Sequence, residues 1–194
     1  MSAEVQAAAA PTAAVELAHA LVDAWGSWGP TLDPDCRRIA FVSDRSGTPS
    51  VWVDDLPVDG AAPHPVQLVL SEDPVVAVSW SADGAWLAVC VATDGGVRTQ
   101  VWVVRPDGSQ ARRLAGSRRQ HAELGPWTRS GHRVVVTVPG EEAGEPTTCY
   151  LADPATGVLT ALAVGELISV LDLSVDQEHV IIKDGQRGRQ FCVV

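Results

Sequence analysis

Four stretches of this chain repeat one pattern at a nearly constant interval: an apolar residue, then a turn that carries Asp or Ser. They are Leu32-Asp33-Pro34-Asp35-Cys36, Trp80-Ser81-Ala82-Asp83-Gly84, Trp127-Thr128-Arg129-Ser130-Gly131 and Leu173-Ser174-Val175-Asp176-Gln177. Asp35, Asp83, Ser130 and Asp176 stand 48, 47 and 46 residues apart. A period of that length describes a row of like units, each too small to bury its own faces. The core of such a chain has to form between neighbouring units.

The stretches between the turns repeat as well. Each turn is followed by a short apolar run, Arg38 to Val42, Trp86 to Cys90, Arg133 to Thr137 and His179 to Ile182. A second run follows at Val51-Trp52-Val53, Val101-Trp102-Val103, Cys149-Tyr150-Leu151 and Phe191-Cys192-Val193. The runs are short, rich in β-branched residues and bounded by turn residues, so they read as strands. Arg105-Pro106-Asp107-Gly108 and Asp153-Pro154-Ala155-Thr156-Gly157 turn the chain again, and Val66 to Leu70, Ala111 to Ala115 and Val158 to Leu162 close the units. Asp83-Gly84, Asp94-Gly95, Asp107-Gly108 and Asp184-Gly185 are hairpin dipeptides, in which Gly accepts positive φ and Asp bonds nearby amides.

With the strand that enters each Asp/Ser turn, one unit holds four antiparallel strands, which is a propeller blade. The expected fold is all-β: a β-propeller of four-stranded antiparallel blades, three full and a partial fourth in an incomplete ring, with one N-terminal α-helix. The expected boundaries are 1–27 for a flexible tail and amphipathic helix, then 28–70, 71–116, 117–164 and 165–194 for the blades. Trp80 and Trp127, with Leu32 and Leu173 in the same slot, are expected to pack between blades, a reading favoured over an aromatic ligand cage. The helix is expected over Thr12 to Trp25, with Thr12 as N-cap and Val15, Ala18, Leu21, Val22 and Trp25 on one face that docks on a blade or on a partner.

Composition narrows the partners. The 194 residues carry 14 Lys+Arg against 24 Asp+Glu, a net charge of −10, which argues against nucleic acid or an anionic membrane surface. No apolar run reaches the roughly 18 residues that span a bilayer. Met1 to Pro11 holds Glu4 and no basic residue, unlike a secretion signal, so a cytoplasmic location is expected. Cys36, Cys90, Cys149 and Cys192 form no CxxC pair and read as reduced thiols. His19, His64, His121, His132 and His179 are scattered, so neither a metal nor a cofactor is expected. Val193-Val194 falls where the closing strand of the fourth unit should begin. The sequence therefore reads as part of a longer polypeptide, or as a chain completed by pairing with another.

Asp33-Pro34-Asp35-Cys36-Arg37-Arg38-Ile39-Ala40-Phe41-Val42-Ser43-Asp44-Arg45-Ser46-Gly47 resembles the TolB-type propeller repeat S-P-D-G-x-x-I-A-F-x-S-D-R-x-G. Trp80 to Ala88 and Val101 to Gly108 look like the next copy, whereas Ser130-Gly131 and Asp176-Gln177 depart from it. The resemblance covers residues 28–194. Such repeats occur in the stand-alone TolB-like scaffold and in the N-terminal propeller of prolyl oligopeptidase-family serine peptidases, including the acylaminoacyl-peptidase and dipeptidyl-peptidase branches. Trp25-Gly26-Ser27-Trp28-Gly29-Pro30 ahead of the first blade looks more like the peptidase setting. The resemblance implies an α/β-hydrolase domain, in the same or another chain, to which the propeller gates short peptides. The alternative it implies is a TolB-like scaffold for protein interaction, completed by a homodimer.

No catalytic residue is expected in the chain itself. It lacks Gly-x-Ser-x-Gly, and Ser117 with His121 sits in an inter-blade connection rather than a strand-turn-helix context. Two features are candidates for contact. Glu141 and Glu142, in the acidic loop Gly140 to Pro146, could hold a substrate's free amino terminus, as a glutamate pair does in the dipeptidyl-peptidase branch; a solvated loop is the plainer reading. Arg112-Arg113 with Arg118-Arg119 could dock a carboxylate, or simply blunt blade edges with charge.

Overall fold

The computed structural model describes residues 13–56, 62–142, 144–185 and 191–193. The Met1–Pro11 tail and the Thr12 cap lie outside the described residues. Helix α1 (Ala13–Val22) precedes four antiparallel sheets. The first holds β1 (Ser27–Leu32), β2 (Arg38–Ser43), β3 (Ser50–Asp55) and β4 (Val66–Leu68). The second holds β5 (Val75–Trp80), β6 (Leu87–Thr93), β7 (Arg98–Val104) and β8 (Arg112–Ala115). The third holds β9 (Glu123–Trp127), β10 (Val134–Val138), β11 (Thr147–Ala152) and β12 (Leu159–Gly165), and the fourth holds β13 (Ser169–Leu173), β14 (Val180–Asp184) and β15 (Phe191–Val193). In every sheet the strands lie side by side in chain order, the meander of a propeller blade. The described residues form an open arc of three four-stranded blades and one three-stranded blade, not a closed ring.

Strand alternation decides what each blade shows its neighbours. Val42 and Val51 of blade 1 point toward blade 2 and meet Trp80, Leu87, Val89 and Val91 there. The next residues along β6 and β7, Ala88, Val101 and Val103, point the other way and join Val134 and Val136 of blade 3. Val135, Cys149 and Leu151 then meet Ile168, Val170 and Leu173 of blade 4. The core is thus three separate layers between blades. Trp80 and Leu173 are buried in those layers, and Trp127 donates its indole N–H to Ser79 Oγ of blade 2 at 2.9 Å. Leu32 occupies the same slot in blade 1, yet it is 48% exposed because no described residue covers that face.

One conformational requirement sets the repeat. Cys36, Gly84, Gly131 and Gln177 all have positive φ, at 53°, 67°, 74° and 63°. Three residues earlier, a side-chain oxygen fastens each turn. Asp33 Oδ1 accepts the Arg37 and Arg38 amides, Ser81 Oγ accepts the Trp86 amide, and Ser174 Oγ accepts the His179 amide. Thr128 instead donates to the Ser130 carbonyl at 2.8 Å. The turn therefore survives where the sequence has no glycine, at the cost of strain at Cys36 and Gln177.

Helix α1 is shorter than the sequence pattern suggests, since the chain bends at Asp23. Val15, Leu21 and Val22 are 43%, 68% and 83% exposed, so the helix does not bury that face on a blade. Trp25 lies beyond the helix and stacks on Arg45, with the guanidinium carbon 4.3 Å from its ring centre.

Replacing Gln177 by Gly should stabilise the fold by about 1 kcal/mol, by relieving the left-handed backbone of a non-glycine residue. Gly84→Ala should do the reverse, because its new Cβ would stand 3.2 Å from Pro34 Cδ at a positive φ. Thermal unfolding followed by circular dichroism reads both as opposite shifts in Tm.

Candidate functional site

The turns between the first and second strands of every blade gather on one side of the arc and are cross-linked there. Asp83 of blade 2 accepts from Ser81 Oγ at 2.7 Å and from the Ala85 amide at 3.0 Å, and its other oxygen meets His132 Nδ1 of blade 3 at 2.7 Å. Burial alone would raise the Asp83 pKa; the Ser81 hydroxyl, the Ala85 amide and His132 outweigh it and hold the carboxyl below its ordinary value of 3.8. Arg129 of blade 3 reaches blade 4, donating to the Leu173 carbonyl at 3.2 Å and pairing with the Asp172 carboxylate. Arg38 of blade 1 is held by Asp33 at 3.2 Å and lies 4.8 Å from the ring centre of Trp80 in blade 2. These links tie together residues more than forty positions apart, and the repeat pattern alone did not reveal them.

A cleft of about 460 Å³ opens beside these turns, between the outer strands of blade 1 and the Arg105–Gly108 turn of blade 2. Asp54, Asp55 and Asp107 line it with Arg38 and His64, and Val53 and Leu68 form its floor. The Asp54 carboxylate accepts the His64 amide at 3.2 Å. It is an acidic, wetted opening rather than a pocket with a reactive group.

The acidic loop stands on the opposite side of the arc, between β10 and β11. Its backbone is organised by Glu145, whose Oε2 accepts the amides of Glu141 and Glu142 at 2.9 and 3.1 Å. A Cβ at Gly140 would stand 2.2 Å from that of Glu145, so the loop closes only with glycine there. The Glu141 and Glu142 side chains point into solvent, and no hydrogen bond or ion pair holds either carboxylate among the described residues. The structure places the pair together but builds no pocket around it. The arginine run divides: Arg112 is half-buried on β8, whereas Arg113, Arg118 and Arg119 are exposed.

Ser117 and His121 do not form a catalytic pair. Ser117 Oγ accepts the Arg119 and Gln120 amides at 3.1 and 2.9 Å, which caps a turn. His121 Nδ1 accepts the Thr99 amide at 3.1 Å, so a neutral ring carries its proton on Nε2, which faces Glu123 at 3.4 Å. Both nitrogens are engaged away from the serine. Cys90 and Cys149 are buried, and burial pushes both thiols up, away from the reactive thiolate.

TolB from Acinetobacter baumannii matches at a TM-score of 0.56 and 19% identity, over 84% of this chain and 39% of that one. The Pyrococcus horikoshii acylaminoacyl peptidase matches at 0.60 and 16%, over 86% of this chain and 30% of that one. This chain has the TolB-like β-propeller fold. An oligogalacturonate lyase crystallised with manganese matches at 0.64 and 15%, over 84% of this chain and 48% of that one. The chain thus spans less than half the length of each of these proteins. No family model matches the sequence. No curated protein matches it either. Among the described residues, no helix is long and apolar enough to cross a membrane.

The Asp83 network predicts an acid limb. A carboxyl whose folded pKa lies below 3.8 contributes stability that is complete above that value and is lost as pH falls through the depressed folded pKa. Asp83→Asn should cost about 1–2 kcal/mol at pH 7 and flatten the loss of stability below about pH 4. Urea unfolding at a series of pH values measures both.

Proposed function

We propose that this chain is the non-catalytic propeller portion of a prolyl oligopeptidase-like serine hydrolase, and that it gates access of short peptides to a hydrolase domain outside this chain. The observation that supports the reading best is the match of the open arc to acylaminoacyl peptidase over 86% of this chain, which is 30% of that one. A rigid wall of stacked blades suits selection by size, because it admits small flexible ligands and turns away folded ones. On this reading the enzyme acts in the cytoplasm, and Glu141 with Glu142 meets the ammonium group of an incoming peptide. Paired carboxylates left free on a glutamate-braced loop fit that cation.

The direct test is to isolate the native gene product from its source cell with an antibody against this chain and to treat it with a fluorophosphonate. A labelled serine in a polypeptide or complex well above 20.4 kDa is expected, and a labelled species would then be assayed on peptides. A product of 20.4 kDa that neither carries nor co-purifies with a labelled serine defeats the reading. In the active enzyme, Glu141→Gln with Glu142→Gln should raise KM for peptides with a free amino terminus on the order of tenfold, leaving kcat and amino-blocked peptides unchanged.

A second reading, a TolB-like interaction scaffold completed by a homodimer, has one observation in its favour. The far face of blade 4 leaves Leu171, Val175 and Ile181 at 48%, 66% and 37% exposure, where another blade would cover them. Light scattering of the purified chain at micromolar concentration separates the two, since a monomeric mass removes the dimer.

A further inference from the structure

Blade 1 covers its outer face in a way the other blades do not. Phe41 and Trp52 are directly paired across β2 and β3, on the side away from blade 2. The corresponding pairs are Val89 with Trp102 in blade 2 and Val136 with Tyr150 in blade 3. Both of those pairs pack against the preceding blade, in the layers that contain Val42 and Val51 or Ala88 and Val101. No described blade precedes blade 1, yet Phe41 and Trp52 are only partly exposed.

What lies over them is Arg45, which in turn holds the stretch that joins α1 to β1. The guanidinium carbon of Arg45 stands 5.2 Å from the Phe41 ring centre, 4.9 Å from that of Trp52 and 4.3 Å from that of Trp25. Its Nε donates to Ser43 Oγ at 3.1 Å and a terminal nitrogen donates to Ser27 Oγ at 3.3 Å. Gly26 is gripped from both sides: its amide donates to Asp44 Oδ1 at 2.6 Å, and its carbonyl accepts from Ser43 Oγ at 2.6 Å. Trp52 Nε1 adds a bond to the Ser43 carbonyl at 3.3 Å. A planar cation suits this place because it offers its face to aromatic rings while its edge keeps donors for hydroxyls.

We propose that Trp25–Ser27 and Arg45 form a strap that occupies, on blade 1, the position a preceding blade occupies on blades 2 and 3. While the strap is fastened by Ser43, Asp44 and Arg45, it shields part of the Phe41–Trp52 pair, and Phe41 is left lining a shallow cleft with Trp28 and Ile39. Lifting it uncovers an aromatic sheet face. The strap is one ring thick, with Trp25 itself 58% exposed, and it is held by hydrogen bonds and ring stacking rather than by a buried apolar layer. It is therefore built to open without unfolding the blade. The inference stands on the fold and is independent of the peptidase reading.

The test is binding of the dye bis-ANS to the full 194-residue chain and to its Arg45→Ala and Trp25→Ala variants, with Arg98→Ala as control. Arg98 is a half-exposed arginine, paired with Asp94 at 2.6 Å in blade 2. Trp25→Ala is the discriminating variant. It removes an exposed apolar ring, so by area alone it lowers dye binding, and a rise is expected only if that ring covers an apolar surface. The expected result is a threefold or greater increase for both variants, no change for the control, and an unchanged far-ultraviolet β spectrum throughout. If Arg45→Ala fails to fold, Trp25→Ala decides the matter alone. Dye binding at or below the parent level in a folded Trp25→Ala chain overturns the proposal.

Discussion

A propeller blade has two apolar faces and can cover neither by itself, and the rest of this structure follows from that constraint. Burial along the arc shows it directly. Every residue of β6, in the second blade, is buried, because blade 1 covers one face and blade 3 the other. In β1 five residues of six are exposed, and all three residues of β15 are exposed. Side chains of the same chemical type are core in the middle and surface at the ends. In an assembly whose energy comes from nearest-neighbour layers, stability is concentrated centrally and the ends open first.

The layers form only if successive blades have the same shape, and the turn between the first two strands supplies that shape. An oxygen at 33, 81, 128 or 174 fastens it, and a left-handed residue three positions later reverses the chain. The oxygen comes from Asp, Ser, Thr and Ser in turn, and the left-handed residue is Cys, Gly, Gly and Gln. The geometry is constant while the residues vary, which is why the third and fourth repeats look degraded as sequence and yet keep the same turn. Links across blades, such as Asp83 with His132 and Arg129 with Asp172, lock the turns to one another and keep the layers in register.

The same distinction explains what could be read from the residues alone. The period, the strand runs and the hairpin turns were legible because they depend on local alternation and on Asp and Gly at fixed offsets. The burial of Trp80 and Leu173 was legible too, since a slot repeated at constant spacing marks a contact. Leu32 shares that slot but is half exposed among the described residues, because the pattern identifies the slot and not whether a neighbour fills it. Trp25 was assigned to the apolar face of the helix by its spacing, but the bend at Asp23 places it on Arg45 instead. For Glu141 and Glu142 the sequence located an acidic loop, and the structure adds that Glu145 organises its backbone. A carboxylate bonding to an amide three or four residues away leaves no signature in composition.

The three structural matches carry different names over a similar arc, a TolB, a peptidase and a lyase, at TM-scores between 0.56 and 0.64. A scaffold shared that widely does not specify chemistry; function is grafted onto it through loops and through what packs against its faces. In this chain the inter-blade layers are the shared part, and they are built mainly from apolar residues that face a neighbour. The distinctive part is where that requirement is relaxed: the glutamate loop beyond β10, the acidic cleft beside blade 1, and the Arg45 strap over the first blade. The strap differs from the other two in kind. An exposed loop and a wetted cleft can vary without consequence for folding, whereas an arginine stacked on three aromatic rings replaces a layer that the fold otherwise demands. A residue that meets a structural need by reversible contacts is also a place where binding and folding energies can be exchanged, which makes blade 1 the end of this arc where regulation is most readily built.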